Sequence, residues 1–340
     1  MGRKTKMNSI TSPELLAQVN PDNIALKDEF ISYMKSMRRS EGTCKGYDSD
    51  LQIFFVWVLQ NAKNKEFASI SKRDIIAFQN WLVYENENSP ARIRRIKAAI
   101  SSLSNFAENI LADEDPKYAN YRSIVRKIDN PPLQPVREKT VWEDGELEDL
   151  LAKLVEKKKY EQACFVALGM FSGRRKSELA RFKVSDFDDS RLVQDGALYE
   201  SAPSLTKGGR MMECYTLAKK FKPYFDLWME QREAAGVQSE WLFPDIKDSR
   251  NHISNTQINS WTRIFSTLTG RDFYMHSLRH YFVTALSKAG IPDNAVVQII
   301  GWKSAEMFNI YNDQTRAEQI GMFFKDGDIC APEKKSFSDL

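Results

Sequence analysis

Two of the chain's three histidines fall in one pentapeptide, His276-Ser277-Leu278-Arg279-His280. Helical spacing puts His276 and Arg279 on one face, one turn apart. An imidazole that titrates near neutrality and a permanently charged guanidinium then share one space. His276 and His280, at i and i+4, also have the spacing of a zinc pair, but the glutamate of an HExxH motif is absent and Arg279 stands nearby. Core packing is the plainer alternative for His280.

Four other stretches carry weaker signals. In Phe171-Ser-Gly-Arg-Arg-Lys-Ser-Glu-Leu179, a buried-looking helix ends at Ser172-Gly173 and a basic triplet opens the next one. Arg175 and Glu178 share a helical face there, and a surface ion pair would look the same. Thr206-Lys207-Gly208-Gly209-Arg210 has the turn chemistry of a β-hairpin, with Lys207 at or near its tip. Gly301-Trp302 follows a short helix signalled by Pro292, and Tyr311 comes nine residues after the tryptophan. Nothing intrinsic separates Tyr311 from the other tyrosines, 12 in all. Arg92, Arg94, Arg95 and Lys97 form a basic run without an acidic residue, able to lie along phosphates or to face solvent.

These residues need elements to hold them. Residues 1–20 are polar and carry no sustained period, as expected of a tail. Ile31, Met34 and Met37 then recur at helical spacing. So do Tyr47, Leu51, Phe54, Phe55 and Val58, and Ile75, Phe78, Trp81 and Leu82. A fourth helix begins at Ser89-Pro90, with serine as cap and proline in the first turn, and runs through Ile93, Ile96, Ile100 and Leu103. Residues 21–129 thus read as an all-helical domain. Three prolines, Pro131, Pro132 and Pro135, interrupt helix over 130–139, which reads as a linker. Beyond it, Glu146 to Lys158 and Gln162 to Phe171 are helical, Leu198 to Leu217 is strand-like, and helices return. Residues 140–326 therefore make a mainly helical domain with a small sheet, and 327–340 a polar tail.

Composition limits the alternatives. A chain of 340 residues is long enough for two domains. A hydrophobic share of 42% beside 28% charged residues fits a globular enzyme, and a formal charge of +3 leans slightly toward a polyanionic partner. Cys44, Cys164, Cys214 and Cys330 lie far apart with no zinc-like spacing, as expected of a reduced cytoplasmic protein. The longest apolar run, Ala163 to Phe171, is too short to span a bilayer.

Taken in order, an arginine in SGRRKSEL, a lysine at a Gly-Gly hairpin, HxLRH, Gly-Trp and a late tyrosine resemble the tyrosine recombinases, the family of phage integrases, Xer recombinases and Cre. The resemblance covers about Thr140 to Lys325, and the helical first domain is similar to the family's core-DNA-binding domain. It implies a two-domain, mainly α clamp around duplex DNA. It makes Arg175 and Arg279 the catalytic arginines, Glu178 a supporting acid and Lys207 the hairpin lysine. His276 pairs with Arg279, His280 supports them, Trp302 takes a place often held by histidine, and Tyr311 is the nucleophile. Arg174 occupies a slot that is usually apolar.

The implied reaction is site-specific strand exchange through a 3′-phosphotyrosine, with neither metal nor ATP, by a tetramer on two DNA duplexes. Two guanidiniums can clamp the non-bridging oxygens of the crowded transition state. A phenol of pKa near 10 must lose its proton as it attacks. Two rival expectations are a relaxing topoisomerase or hairpin-forming resolvase with similar residues, and a DNA-binding regulator that has lost catalysis.

Overall fold

A computed structural model of the chain describes residues 10–133, 140–143, 145–205, 209, 211–302, 304–322, 324–325 and 328–329. Two compact units form, Arg3–Glu138 and Lys139–Leu340. Each has its own apolar interior.

The first unit is helical throughout: α1 (Pro13–Leu16), α2 (Pro21–Ser36), α3 (Glu41–Asn61), α4 (Lys72–Tyr84) and α5 (Pro90–Asn109), with one short 3-10 turn between α3 and α4 and another after α5. Their starts are set locally. Ser12, Asn20, Ser40, Ser71 and Ser89 each accept a backbone N–H at a helix start, and proline opens α1, α2 and α5. The second half of α3 is buried on every side, from Leu51 through Phe54, Phe55 and Val58, so other helices must surround it. Ile75, Phe78 and Leu82 of α4 and Ile93, Ile96, Ile100 and Leu103 of α5 supply that cover. Met37 departs from the expected periodicity. It is the residue after α2 and stands exposed, because the chain turns at Arg38 with a φ of 55°.

The second unit holds α6 (Glu146–Glu156), α7 (Tyr160–Ser172), α8 (Lys176–Leu179), α9 (Ala218–Ala234) and α10 (Asn255–Thr269). Four helices follow, α11 (His276–Lys288), α12 (Asp293–Ile300), α13 (Glu306–Tyr311) and α14 (Arg316–Gly321). Its strands are short: β1 (Leu192–Val193), β2 (Leu198–Glu200), β3 (Ser204–Leu205), β4 (Met211–Met212), β5 (Tyr215–Leu217), β6 (Phe324–Lys325) and β7 (Asp328–Ile329). All pairing is antiparallel, as a three-stranded sheet β1-β2-β5 and two hairpin pairs, β3-β4 and β6-β7. The strand-like stretch from Leu198 to Leu217 is thus two pairings, in which β2 and β5 are joined through a projecting β3-β4 hairpin.

Helix α7 runs through the centre of this unit, buried from Ala163 to Ser172, and its apolar length is core rather than amphipathic surface. It ends at Gly173, whose φ of 60° is the left-handed turn that glycine adopts without steric cost. A Cβ at Gly173 would lie 2.4 Å from Phe282 Cδ1, so the turn is also pressed against α11. A separate apolar cluster of Phe282, Val283, Leu286, Val296, Val297, Ile300 and Phe308 packs α11, α12 and α13 together beneath Trp302 and Tyr311. Among the described residues no helix is long and apolar enough to cross a membrane.

Candidate active site

The turn after α7 sends two adjacent arginines to different places. Arg174 points inward and is buried. It donates to the carbonyls of Ile300 (3.3 Å), Ile299 (3.2 Å) and Glu213 (3.0 Å), tying the end of α12 to the turn between β4 and β5. Arg175 precedes α8 and keeps about a third of its side chain open. Its Nη1 donates to Glu178 Oε1 at 2.9 Å, and its backbone N–H to Glu178 Oε2 at 3.1 Å. Burial would raise the carboxyl pKa of Glu178, but these two bonds and the charge of Arg175 hold it below its ordinary value. Glu178 therefore stays ionised and fixes the Arg175 guanidinium.

Helix α11 opposes that turn. Trp142 Nε1 donates to Ser277 Oγ at 2.8 Å, which fixes the start of the helix and with it His276. Arg279 is fully buried. Its Nη1 donates to the Gly173 carbonyl at 3.0 Å, while Nε and Nη2 have no acceptor among the described residues. Burial, followed by the neighbouring charge of Arg175, lowers its pKa to about 10, which leaves it fully charged at neutral pH. A buried cation with two unused donors is costly unless an anion meets them.

The tyrosine comes to this pair of arginines. Tyr311, at the end of α13, is buried, and its hydroxyl lies 2.5 Å from His276 Nε2. The Arg279 guanidinium sits 5.3 Å from the Tyr311 ring centre and 5.1 Å from that of Trp302. Trp302 and Tyr311 rings lie 5.0 Å apart, and the buried indole N–H of Trp302 has no acceptor among the described residues. Desolvation of the His276 ring, then the charges of Arg279, His280 and Arg175, lower its pKa to about 4. His276 is neutral at pH 7 and can accept the phenolic proton.

Further along α11 a polar stripe holds the chain that follows Tyr311. His280 Nδ1 is 3.1 Å from Asp313 Oδ2. Thr284 Oγ1 accepts the Asp313 N–H at 2.9 Å and donates to the Tyr311 carbonyl at 3.5 Å. Ser287 Oγ contacts Gln314 Oε1 at 2.7 Å and accepts from Asn312 Nδ2 at 3.2 Å. His276, His280, Thr284 and Ser287 lie at steps of four, four and three, one face of a helix. Thr284, Ser287 and Asp313 were not among the residues expected from sequence. The only signal of Thr284 and Ser287 is polarity at helical spacing along α11, and Asp313 lies beyond α13.

Lys207 lies outside the described residues. The strands flanking it are held at both sides. Arg181 Nη2 donates to the Leu205 carbonyl of β3 at 3.0 Å. Met212 of β4 lies over Gly301, where a Cβ would approach its Cε to 2.2 Å. Gly301 has a φ of 76°, so the turn into Trp302 and the seat of the hairpin need the same glycine.

The basic run in the first unit requires a correction. Lys97 is not on an open face: it is buried and donates to Gln79 Oε1 (2.6 Å) and to the carbonyls of Ile128 (3.1 Å) and Asp129 (3.0 Å). Arg94, one turn earlier, donates to the Pro131 carbonyl at 3.1 Å. Arg92 and Arg95 project elsewhere and pair with Asp50 of α3. A run contiguous in sequence is divided because residues two apart on a helix differ by about 200°.

Two arginines, a histidine and a tyrosine thus meet within this helical unit. Residues 141–318 match the phage integrase family, and 26–115 match its N-terminal SAM-like domain. The chain belongs to the phage integrase family and is a tyrosine site-specific recombinase. It is 30% identical over 245 residues to the SPbeta prophage-derived recombinase-like protein YomM of Bacillus subtilis, covering 71% of this chain and 70% of that one. It is 22% identical to the TnP I resolvase of Bacillus thuringiensis, covering 85% and 95%. XerH recombinase bound to a palindromic difH substrate, in a post-cleavage complex, has the same fold with a TM-score of 0.64 at 18% identity, over 82% of this chain and 78% of that one. A lambda integrase dimer on a COC′ core site gives 0.58 at 16%, over 86% and 96%.

Proposed function

We propose that Tyr311 is the nucleophile of this recombinase and that Arg175, Arg279 and Trp302 hold the phosphate it attacks. The observation that carries this reading is one constellation. The Tyr311 hydroxyl is bonded to a neutral His276, and the unused donors of Arg279 and Trp302 lie against the same ring. A phosphodiester supplies the acceptors these donors lack. As the phenolic oxygen bonds to phosphorus, its proton passes to His276, and negative charge grows on oxygens clamped by two guanidiniums. The bond from phosphorus to the 5′ oxygen breaks, and Lys207 gives that oxygen a proton. The protein is left joined to the 3′ end through a phosphotyrosine. A 5′-hydroxyl from a second duplex reverses the sequence, so the energy of the bond is kept.

In this reading the first unit also contacts duplex DNA, with Arg92 and Arg95 contributing phosphate contacts. Exchange needs two duplexes, and hence a tetramer of the kind the lambda integrase forms on a Holliday junction. The test is recombination in cells between two copies of the DNA that flanks this gene. Wild-type protein should produce recombinant junctions at one reproducible position, and Arg279→Ala should produce none. Junctions that appear equally with both proteins would overturn the assignment.

A further inference from the structure

Asp50 of α3 is completely buried, yet its only described partners are two cations from another helix. Arg92 Nη1 lies 2.5 Å from one carboxylate oxygen and Arg95 Nε 3.2 Å from the other. Neither arginine is buried: 28% of the Arg92 side chain and 55% of the Arg95 side chain remain accessible, and each uses one described nitrogen on Asp50, which leaves further donors for a second anion. One turn before Asp50 stands Gly46, in the interior of α3. A Cβ there would lie 2.4 Å from Arg95 Nη2. The guanidinium therefore occupies the space a side chain would fill.

Each of these features is unfavourable for the free protein. Glycine within a helix is worse than alanine, a buried carboxylate is costly, and two guanidiniums side by side repel. Their joint product is a pair of cations fixed in orientation within the first two turns of α5, where the helix terminus adds potential of the same sign. We propose that Asp50 and Gly46 are positioning residues, which set Arg92 and Arg95 as one preformed clamp for backbone phosphates of duplex DNA. The proposal rests on reading the first unit as a DNA-contacting one and adds how that contact is built.

The experiment measures the affinity of the full chain for a duplex of mixed sequence across a series of salt concentrations, beside thermal melting of each variant. Gly46→Ala keeps every charge and improves helix propensity, but the new methyl displaces Arg95. It should melt no lower than wild type, bind about three- to tenfold more weakly and lose about one unit of salt slope. Asp50→Asn adds a net positive charge, so simple charge counting expects tighter binding, whereas release of the two guanidiniums predicts weaker. The double variant Gly46→Ala/Arg95→Ala should bind no worse than Arg95→Ala. Unchanged affinity in Gly46→Ala, or tighter binding by a folded Asp50→Asn, overturns the proposal. If Arg92→Ala and Arg95→Ala also leave binding and slope unchanged, the DNA-contact reading of this surface fails with it; if they weaken binding, only the positioning does.

Discussion

At the scale of single residues, adjacent arginines do opposite work. Arg174 is a structural tie whose guanidinium meets three carbonyls, so Arg174→Ala should cost about 3 kcal/mol of stability and lower the melting temperature measurably. Arg175→Ala should melt close to wild type and cleave on the order of a hundredfold more slowly, because it removes a preorganised donor to transition-state charge. A severe loss of cleavage with unchanged melting in Arg174→Ala, and a mild one in Arg175→Ala, would reverse the assignment. Arg279 is the sharper case, being buried with two donors that meet no acceptor among the described residues. Arg279→Met, of similar length and without charge, should stabilise the free protein by about 1 to 4 kcal/mol while abolishing cleavage. A destabilised Met variant would mean that the cation is already compensated without DNA.

At the scale of elements, α11 acts as a rail. Its histidines were legible in sequence because three histidines in a whole chain make a pair in one pentapeptide conspicuous. Thr284 and Ser287 were not, since polar residues on a helix ordinarily mean solvent. Only the fold places the segment after Tyr311 against them. Thr284→Val removes the hydroxyl that bonds the Tyr311 carbonyl and the Asp313 N–H while keeping the shape. Cleavage should slow about tenfold with DNA affinity unchanged, in line with one or two lost hydrogen bonds. A DNA substrate with sulfur at the 5′ bridging position, which needs no proton on its leaving group, should not restore the rate. Rescue by that substrate would assign Thr284 to leaving-group chemistry instead. The first unit shows the opposite limit. Ser89-Pro90 and the isoleucines announced α5, but sequence order hid that Lys97 turns inward while Arg92 and Arg95 turn toward Asp50. Which face a charged side chain takes depends on neighbouring helices, and these are not written in the helix itself.

At the scale of the whole molecule, the apolar periods that built each core were plain in the sequence, while the candidate site stood out only as an ordered set. Arg175, His276, Arg279, Trp302 and Tyr311 are spread over 137 positions of the chain. They meet because α7 ends at Gly173, α11 packs on that turn, and α12 and α13 fold back across it. The proposed chemistry turns on one oxygen atom in that arrangement, the Tyr311 hydroxyl. Tyr311→Phe removes it and preserves the ring that packs on Trp302 and His280. The direct measurement uses the native flanking DNA, nicked so that the short 5′-hydroxyl fragment diffuses away after cleavage, followed by denaturing electrophoresis and mass spectrometry of the trapped peptide. Wild-type protein should give a denaturant-resistant adduct with the DNA 3′ phosphate on Tyr311, unaffected by chelator, and Tyr311→Phe should bind the same DNA and give none. An adduct formed by the Phe variant, or mapped to any other residue, would contradict the account.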